Sequence, residues 1–402
     1  MRESLVTRSG RAPLATGVVL LLALLLLSIF GVRHWNVFPA APPGSGEAAS
    51  PSTPGVISAT EAARRAAIAA LGPIKKRPGV NAADLYADAW ALFKELTPDE
   101  KKMLTQPLDK LDPAAAAALY AKLQPIMAML RRARNAGYVD WSMGPLTLGT
   151  SMTGRLQEAT GLKQAALWES TYRFQSDPDG AAGDLAALVA LGRDEADMEL
   201  GLVLENSFRT SSINLLSQNA GAISSAAAPD VAYIVSQTAA QQSFQNGMNG
   251  EIGMLQDALA HPPPLMAPDP PMTPAQFASA VQFLEQNDEG AESAVFEPQA
   301  QYQQWWTGQQ AGAAALPVVG STALQGQDFL YLRERASLEQ NALLSAGIAL
   351  EQGDESQLQS IVDPLTGQPF TVTRTATGFQ IASTMQYQGK PVTLNFPAPA
   401  AK

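Results

Sequence analysis

The chain has 402 residues, no cysteine, two histidines, and 27 Lys+Arg against 37 Asp+Glu, for a formal charge of −10. This composition excludes a disulfide framework, zinc ribbon, iron–sulfur cluster, lipid-modified cysteine or cysteine nucleophile, and two imidazoles do not make a multi-histidine metal site. Nucleic-acid affinity comes largely from Lys and Arg on phosphates, so an acidic chain is expected to have no nucleic-acid partner, and no cofactor loop is visible either.

In chain order, the first element is apolar. Residues 14–32 read LATGVVLLLALLLLSIFGV, nineteen positions without a charge. As a helix rising about 1.5 Å per residue they span roughly 28 Å, close to a hydrocarbon core of about 30 Å. Arg2, Arg8 and Arg11 precede the run and Arg33 is the one Lys or Arg in the twenty residues after it. The positive-inside rule then puts residues 1–13 in the cytoplasm and the bulk of the chain outside a cell membrane. Ala40-Ala41 has Phe38 or Pro39 upstream, a poor fit to a cleavage site, so an uncleaved single-pass signal anchor is expected. Residues 33–57, with Pro39, Pro42, Pro43, Pro51 and Pro54, read as a semi-extended stalk.

Residues 58–352 read as a helical domain. Ser58-Ala-Thr-Glu61 fits a capping box before an Ala-rich run to Leu71. Residues 81–96 place Leu85, Ala89, Leu92 and Phe93 on one face, and Thr97-Pro98 and Asp112-Pro113 each open a further helix, the second with Pro125 as a kink. Residues 137–154 interrupt the pattern with glycines around Tyr138, Trp141 and Met143, a loop whose aromatics cap the helical core. Helical period resumes over 156–174 and 184–220, and more weakly over 231–260. Prolines over 261–274 predict an extended arm, and 277–284 and 328–350 predict the last helices, the latter with a stripe of Phe329, Leu332, Ala336, Leu343 and Leu350.

Residues 353–402 change to period 2. Phe370 to Arg374, Phe379 to Ala382 and Val392 to Phe396 alternate and are separated by turn residues, predicting a small antiparallel meander of two or three strands leaning on the helices. The fold class expected is therefore mainly α, an irregular multi-helix body with this C-terminal sheet. In Asp363-Pro-Leu-Thr-Gly367, Asp363 accepts backbone N–H bonds, Pro364 presets φ and Gly367 permits positive φ, so the motif reads as a rigid turn. Calcium wants six to eight oxygens and one carboxylate falls short.

Asn81-Ala-Ala-Asp-Leu-Tyr86, Asp140-Trp141 with Gly144-Pro145, Asp184-Leu185-Ala-Ala-Leu188, and Asp363-Pro364-Leu-Thr-Gly367-Gln-Pro369-Phe370 followed by Gly378-Phe379 together carry a resemblance. The chain resembles an uncharacterised family of bacterial proteins with one N-terminal membrane helix, a helical exported body and a terminal D-P-[FL]-[ST]-G-x-P-[FL] hairpin. The resemblance implies localisation and architecture, and no activity. The chain departs from the pattern after Ser383, where it adds a further strand.

Chemistry-bearing patterns are few. G-x-S-x-G and S-x-x-K do not occur, and His34 and His261 are the two histidines. Glu195 and Glu199 fall four apart in Arg193-Asp-Glu-Ala-Asp-Met-Glu199, which on one helix would pair two carboxylates on one face, as a glycosidase needs, or make a solvated acidic face. Glu205 lies in a more apolar stretch with Arg209 four residues later as a ready ion partner. Trp305 and Trp306, among glutamines, are candidates for ligand or partner contact or for core packing. The expected function is a non-enzymatic binding or scaffold component of the bacterial envelope with an envelope protein as partner. The alternatives are an envelope hydrolase acting on carbohydrate through paired carboxylates, and a small-molecule sensor or transport accessory.

Overall fold

The computed structural model describes residues 79–141, 150–197, 199–260, 274–313, 318–353 and 361–398. They belong to one compact unit, Gly79–Lys402. The expected membrane helix, the stalk, the Ser58 capping box, residues 142–149 of the aromatic loop and residues 261–273 of the Pro-rich arm lie outside the described residues, as do His34 and His261. Among the described residues no helix is long and apolar enough to cross a membrane.

Side-chain caps start the early helices where the sequence places them. Asn81 accepts from the Ala83 amide ahead of α1 (Ala82–Lys94). Thr97 and Glu100 form a reciprocal capping box at α2 (Pro98–Met103), with Pro at the first turn. Asp112 caps α3 (Pro113–Arg134), which carries Pro125 in its interior. After α4 (Thr150–Arg173), Asp177 and Pro178 repeat the device at α5 (Pro178–Glu195). The inner face of α3, from Leu119 through Leu123, Ile126 and Leu130, packs with Leu85, Phe93, Leu162 and Leu188 into the first apolar cluster.

The stretch expected as one helix over 184–220 is two. α5 ends at Glu195, and α6 (Glu199–Gln218) starts after a break at Ala196, where φ −80° and ψ 47° leave the helical region. The reversal is tight: a Cβ on Gly201 would lie 1.8 Å from the Glu195 carbonyl oxygen, so only glycine lets α6 approach the end of α5 this closely. The weak period over 231–260 likewise resolves into α7 (Ala228–Ile234) and α8 (Gln237–Ala260).

The last helices are longer than their apolar stripes suggest: α9 (Pro274–Ala294), α10 (Gln299–Ala313), which the sequence left undecided, and α11 (Val318–Glu351). α11 is buried on several sides. It contacts α6, α8, α9 and α10 as well as the sheet, and its buried residues include Tyr331, Glu334, Arg335, Glu339 and Leu344 beside the predicted stripe.

The C-terminal sheet is a three-stranded antiparallel meander, β1 (Thr371–Thr375), β2 (Gly378–Tyr387) and β3 (Lys390–Pro397), in that order. Gln388-Gly389 joins β2 to β3 with φ 51° and 74°, the primed-turn geometry that suits a two-residue hairpin. One face is apolar: Ile381, Leu394 and Phe396 enter a cluster with Leu185, Ile213, Leu343 and Leu344. The sheet thus shares its core with α5, α6 and α11, because three strands alone bury too little.

Candidate functional site

The densest chemistry among the described residues sits at the break between α5 and α6, where the acidic run read either as a solvated face or as a carboxylate pair. Glu195 closes α5 and Glu199 opens α6, so their spacing of four does not set them on one helical face; the Glu199 side chain lies outside the described residues. Glu195 is only 4% exposed and accepts from Arg155 Nε of α4 at 2.5 Å. Arg155 also donates from Nη1 to Asp197 at 2.9 Å and stacks over Trp141, 4.2 Å from the ring. Trp141 in turn stacks on Tyr86 at 5.7 Å and donates from Nε1 to the Asp194 carbonyl at 2.9 Å. Tyr86 donates to the Asp194 carboxylate at 2.6 Å. Burial pushes the Asp194 carboxyl up to about 6 and that of Glu195 to about 8, against the pull of Tyr86 and Arg155 respectively. The arrangement consumes its acids: one guanidinium bridges two carboxylates and locks three segments together.

Glu205 is 1% exposed and faces a second arginine cluster. Arg209, one turn later on α6, approaches it at 3.4 Å, Arg193 lies at 4.0 Å, and Arg209 is bound more closely to Glu334 of α11 at 2.7 Å. Burial raises the Glu205 carboxyl to about 7 while Arg209 holds it down. The expected Glu205–Arg209 pair is present, with Glu334 as a further member that its distance along the chain concealed.

Trp305 and Trp306 lie on α10, their rings 5.8 Å apart and tilted by 43°. Both contact Tyr331 of α11, at 5.8 and 5.9 Å. Trp306 is buried in the third apolar cluster with Tyr302, Phe244 and Val295, and Trp305 packs against it. The pair organises the α10–α11 contact rather than presenting two parallel ring faces.

Further polar centres escaped the sequence. Glu169 of α4 is fully buried, accepts from Gln124 at 2.8 Å, and shares a hydrogen bond with Asp184, which also accepts from Arg131 and Arg173. Glu339 of α11 is buried against Asp363, whose carboxylate accepts from the Leu365 and Thr366 amides at 3.0 and 2.8 Å and from Ser383 at 2.5 Å. The Asp363 turn thus forms as expected, with both its oxygens committed inside the protein. Lys163 of α4 donates to Ser207 of α6 at 2.7 Å, and burial lowers its amine to about 8. That contact has the atoms of a nucleophile and base, but the amides around Ser207 are spent within α6 and leave no oxyanion donors there.

Among the described residues no group of three acidic, His or Cys side chains is placed to hold a metal. A groove of about 650 Å³, open to solvent, runs between the start of α1 and the end of α3, lined by Val80, Leu85, Arg131, Arg132 and Asn135. No protein-family model, curated protein or solved structure matches the chain.

Proposed function

We propose that the protein is a binding or scaffold component of the bacterial envelope, anchored through residues 14–32 with its N-terminus in the cytoplasm and its helical body outside. The observation that carries the scaffold reading is the fate of the acids. Of the three candidate acids, Glu195 is buried and tied to Arg155 of α4, and Glu205 is buried beside Arg209 of its own helix, which in turn binds Glu334 of α11, whereas glycoside hydrolysis needs two acids flanking a cleft. The apolar run and the arginines before it support the anchor and its direction.

Crosslinking followed by pull-down of the full-length protein from intact envelopes tests the scaffold. A reproducible envelope protein is expected, and its absence over repeated preparations sinks the reading. The anchor is tested separately: membranes washed with alkaline carbonate should retain the full chain and release one lacking residues 14–32. Protease added outside should degrade the helical body, and its survival would reverse the proposed topology.

A further inference from the structure

The sheet has two edges, β1 and β3. An edge strand turns backbone N–H and C=O groups outward, where another strand can pair with them, and folded proteins blunt such edges with Lys, Pro or bulges. β3 carries these devices, with Lys390 and Pro391 at its start and Pro397 at its end. β1, Thr-Val-Thr-Arg-Thr, has neither proline nor lysine. Thr371, Thr373, Arg374 and Thr375 are exposed, and the substantial contacts of β1 among the described elements are with β2 alone. Charge singles out the same place. Residues 364–402 contain no Asp or Glu, and Arg374, Lys390 and Lys402 are their charges, in a chain of net −10.

We propose that β1 is the contact surface for a second copy of this chain, the two strands pairing antiparallel about a two-fold axis at Thr373 to make one continuous six-stranded sheet. In that register the strand is self-complementary. Thr373 meets the second copy's Thr373, Thr371 meets its Thr375, and Val372 meets its Arg374, so no charged residue lies directly opposite a like charge. Val372 pairs with buried Ile381 and so faces the core, which puts Thr371, Thr373 and Thr375 on the opposite, solvent face. There they stack as threonine pairs across the two-fold. Neither copy brings an Asp or Glu of residues 364–402 to the contact. A five-residue edge buries less than the roughly 1,200 Å² of a stable interface in solution. The contact therefore forms where chains are concentrated, as in a shared membrane, a point that rests on the anchor proposed above.

The test uses the absence of native cysteine. Full-length Thr373→Cys, Thr371→Cys, Thr375→Cys and Asn395→Cys proteins are oxidised mildly in their membranes and read on non-reducing gels. Directly opposed residues have Cα atoms about 4.5–5.5 Å apart, within the disulfide span of about 4.4–6.8 Å. Identical residues at 371 or at 375 stand four positions out of register, about 13 Å apart. Thr373→Cys should become mostly disulfide dimer, Thr371→Cys and Thr375→Cys each little, and the two co-expressed with different tags should give the mixed dimer. Dimer from Thr373→Cys no greater than from Asn395→Cys overturns the proposal, as does equal crosslinking at 371, 373 and 375. A Thr373→Cys adduct whose mass is not twice the chain also overturns it, because another protein then occupies the edge. Carbonate extraction of the same membranes reports on the anchor independently.

Discussion

Arg209 shows how a single buried charge organises the helices. Its side chain is fully buried, with Nε donating to Ser337 at 2.7 Å and Nη2 to Asn206 at 3.0 Å and to Glu334 at 2.7 Å, while Glu205 stands at 3.4 Å. Removing one member of such a set leaves charges buried without a counterion, at a cost of about 3–5 kcal/mol. Arg209→Met should lower the stability to urea by that amount, and Arg209→Lys should recover only part of it, because an ammonium cannot reproduce the planar fork. Replacing Glu205, Arg209 and Glu334 together by Leu, Met and Leu should cost far less than Arg209→Met alone. A triple variant less stable than the single one would mean that the cluster stabilises the fold outright instead of merely being satisfied. Of this cluster the sequence disclosed the local pair, since Glu205 and Arg209 share a helical face. Glu334 and Ser337 come from a helix more than a hundred residues on, and no periodicity connects them.

At the scale of elements, legibility followed local punctuation. Asn81, Thr97-Pro98, Asp112-Pro113 and the period-2 runs near the C-terminus announce their structures because capping and alternation are short-range. The break at Ala196 is silent, since no Gly or Pro marks it and it is imposed by packing; Gly201 records it only as a close approach. The pairing of Glu195 with Arg155 was hidden for the same reason, because it depends on where α4 lies against that break. A similar approach joins sheet to helix. A Cβ on Gly347 of α11 would fall 1.8 Å from the Phe396 ring, which is buried and stacked on Phe379 at 4.9 Å and so has little room to yield. Gly347→Ala should cost about 1–3 kcal/mol as overpacking, read as a lowered thermal midpoint. Gly308 of α10 is the control, being exposed with nothing within 4 Å of an added Cβ. There, alanine should stabilise by about 0.5–1 kcal/mol through helix propensity. Equal and small effects at both sites would mean that the sheet does not bear on α11.

For the whole molecule, the buried acids set how stability depends on pH. Burial, then the neighbouring Asp184 carboxylate, pushes the Glu169 carboxyl up to about 8. Burial, then hydrogen bonding and charge from Asp363, pushes that of Glu339 to about 9. Each keeps its proton at neutral pH and lends it to the adjacent Asp. Asp363, despite its burial, is held below the usual range by hydrogen bonds from Glu339, Ser383 and Thr366. Asp194, Glu195 and Glu205 shift upward as well. Unfolding returns these carboxyls to the ordinary range of about 4–4.5, where they release their protons. Between about pH 4.5 and 8 the folded chain therefore binds more protons than the unfolded one, and stability falls as pH rises. Groups shifted the other way act outside that window: Glu100, Asp177 and Asp363, lowered from their usual range, cost stability only on stronger acidification, and Lys163, lowered to about 8, acts above it. Unfolding should accordingly be hardest near pH 5 and easier at pH 8 by more than about 1 kcal/mol, one unit of differential shift. The double variant Glu169→Gln, Glu339→Gln keeps a neutral donor at both places and should flatten the slope. A thermal midpoint that stays level or climbs from pH 5 to pH 8 would show that these acids are charged in the folded protein, and that the aspartates beside them are held by the arginines and backbone amides alone.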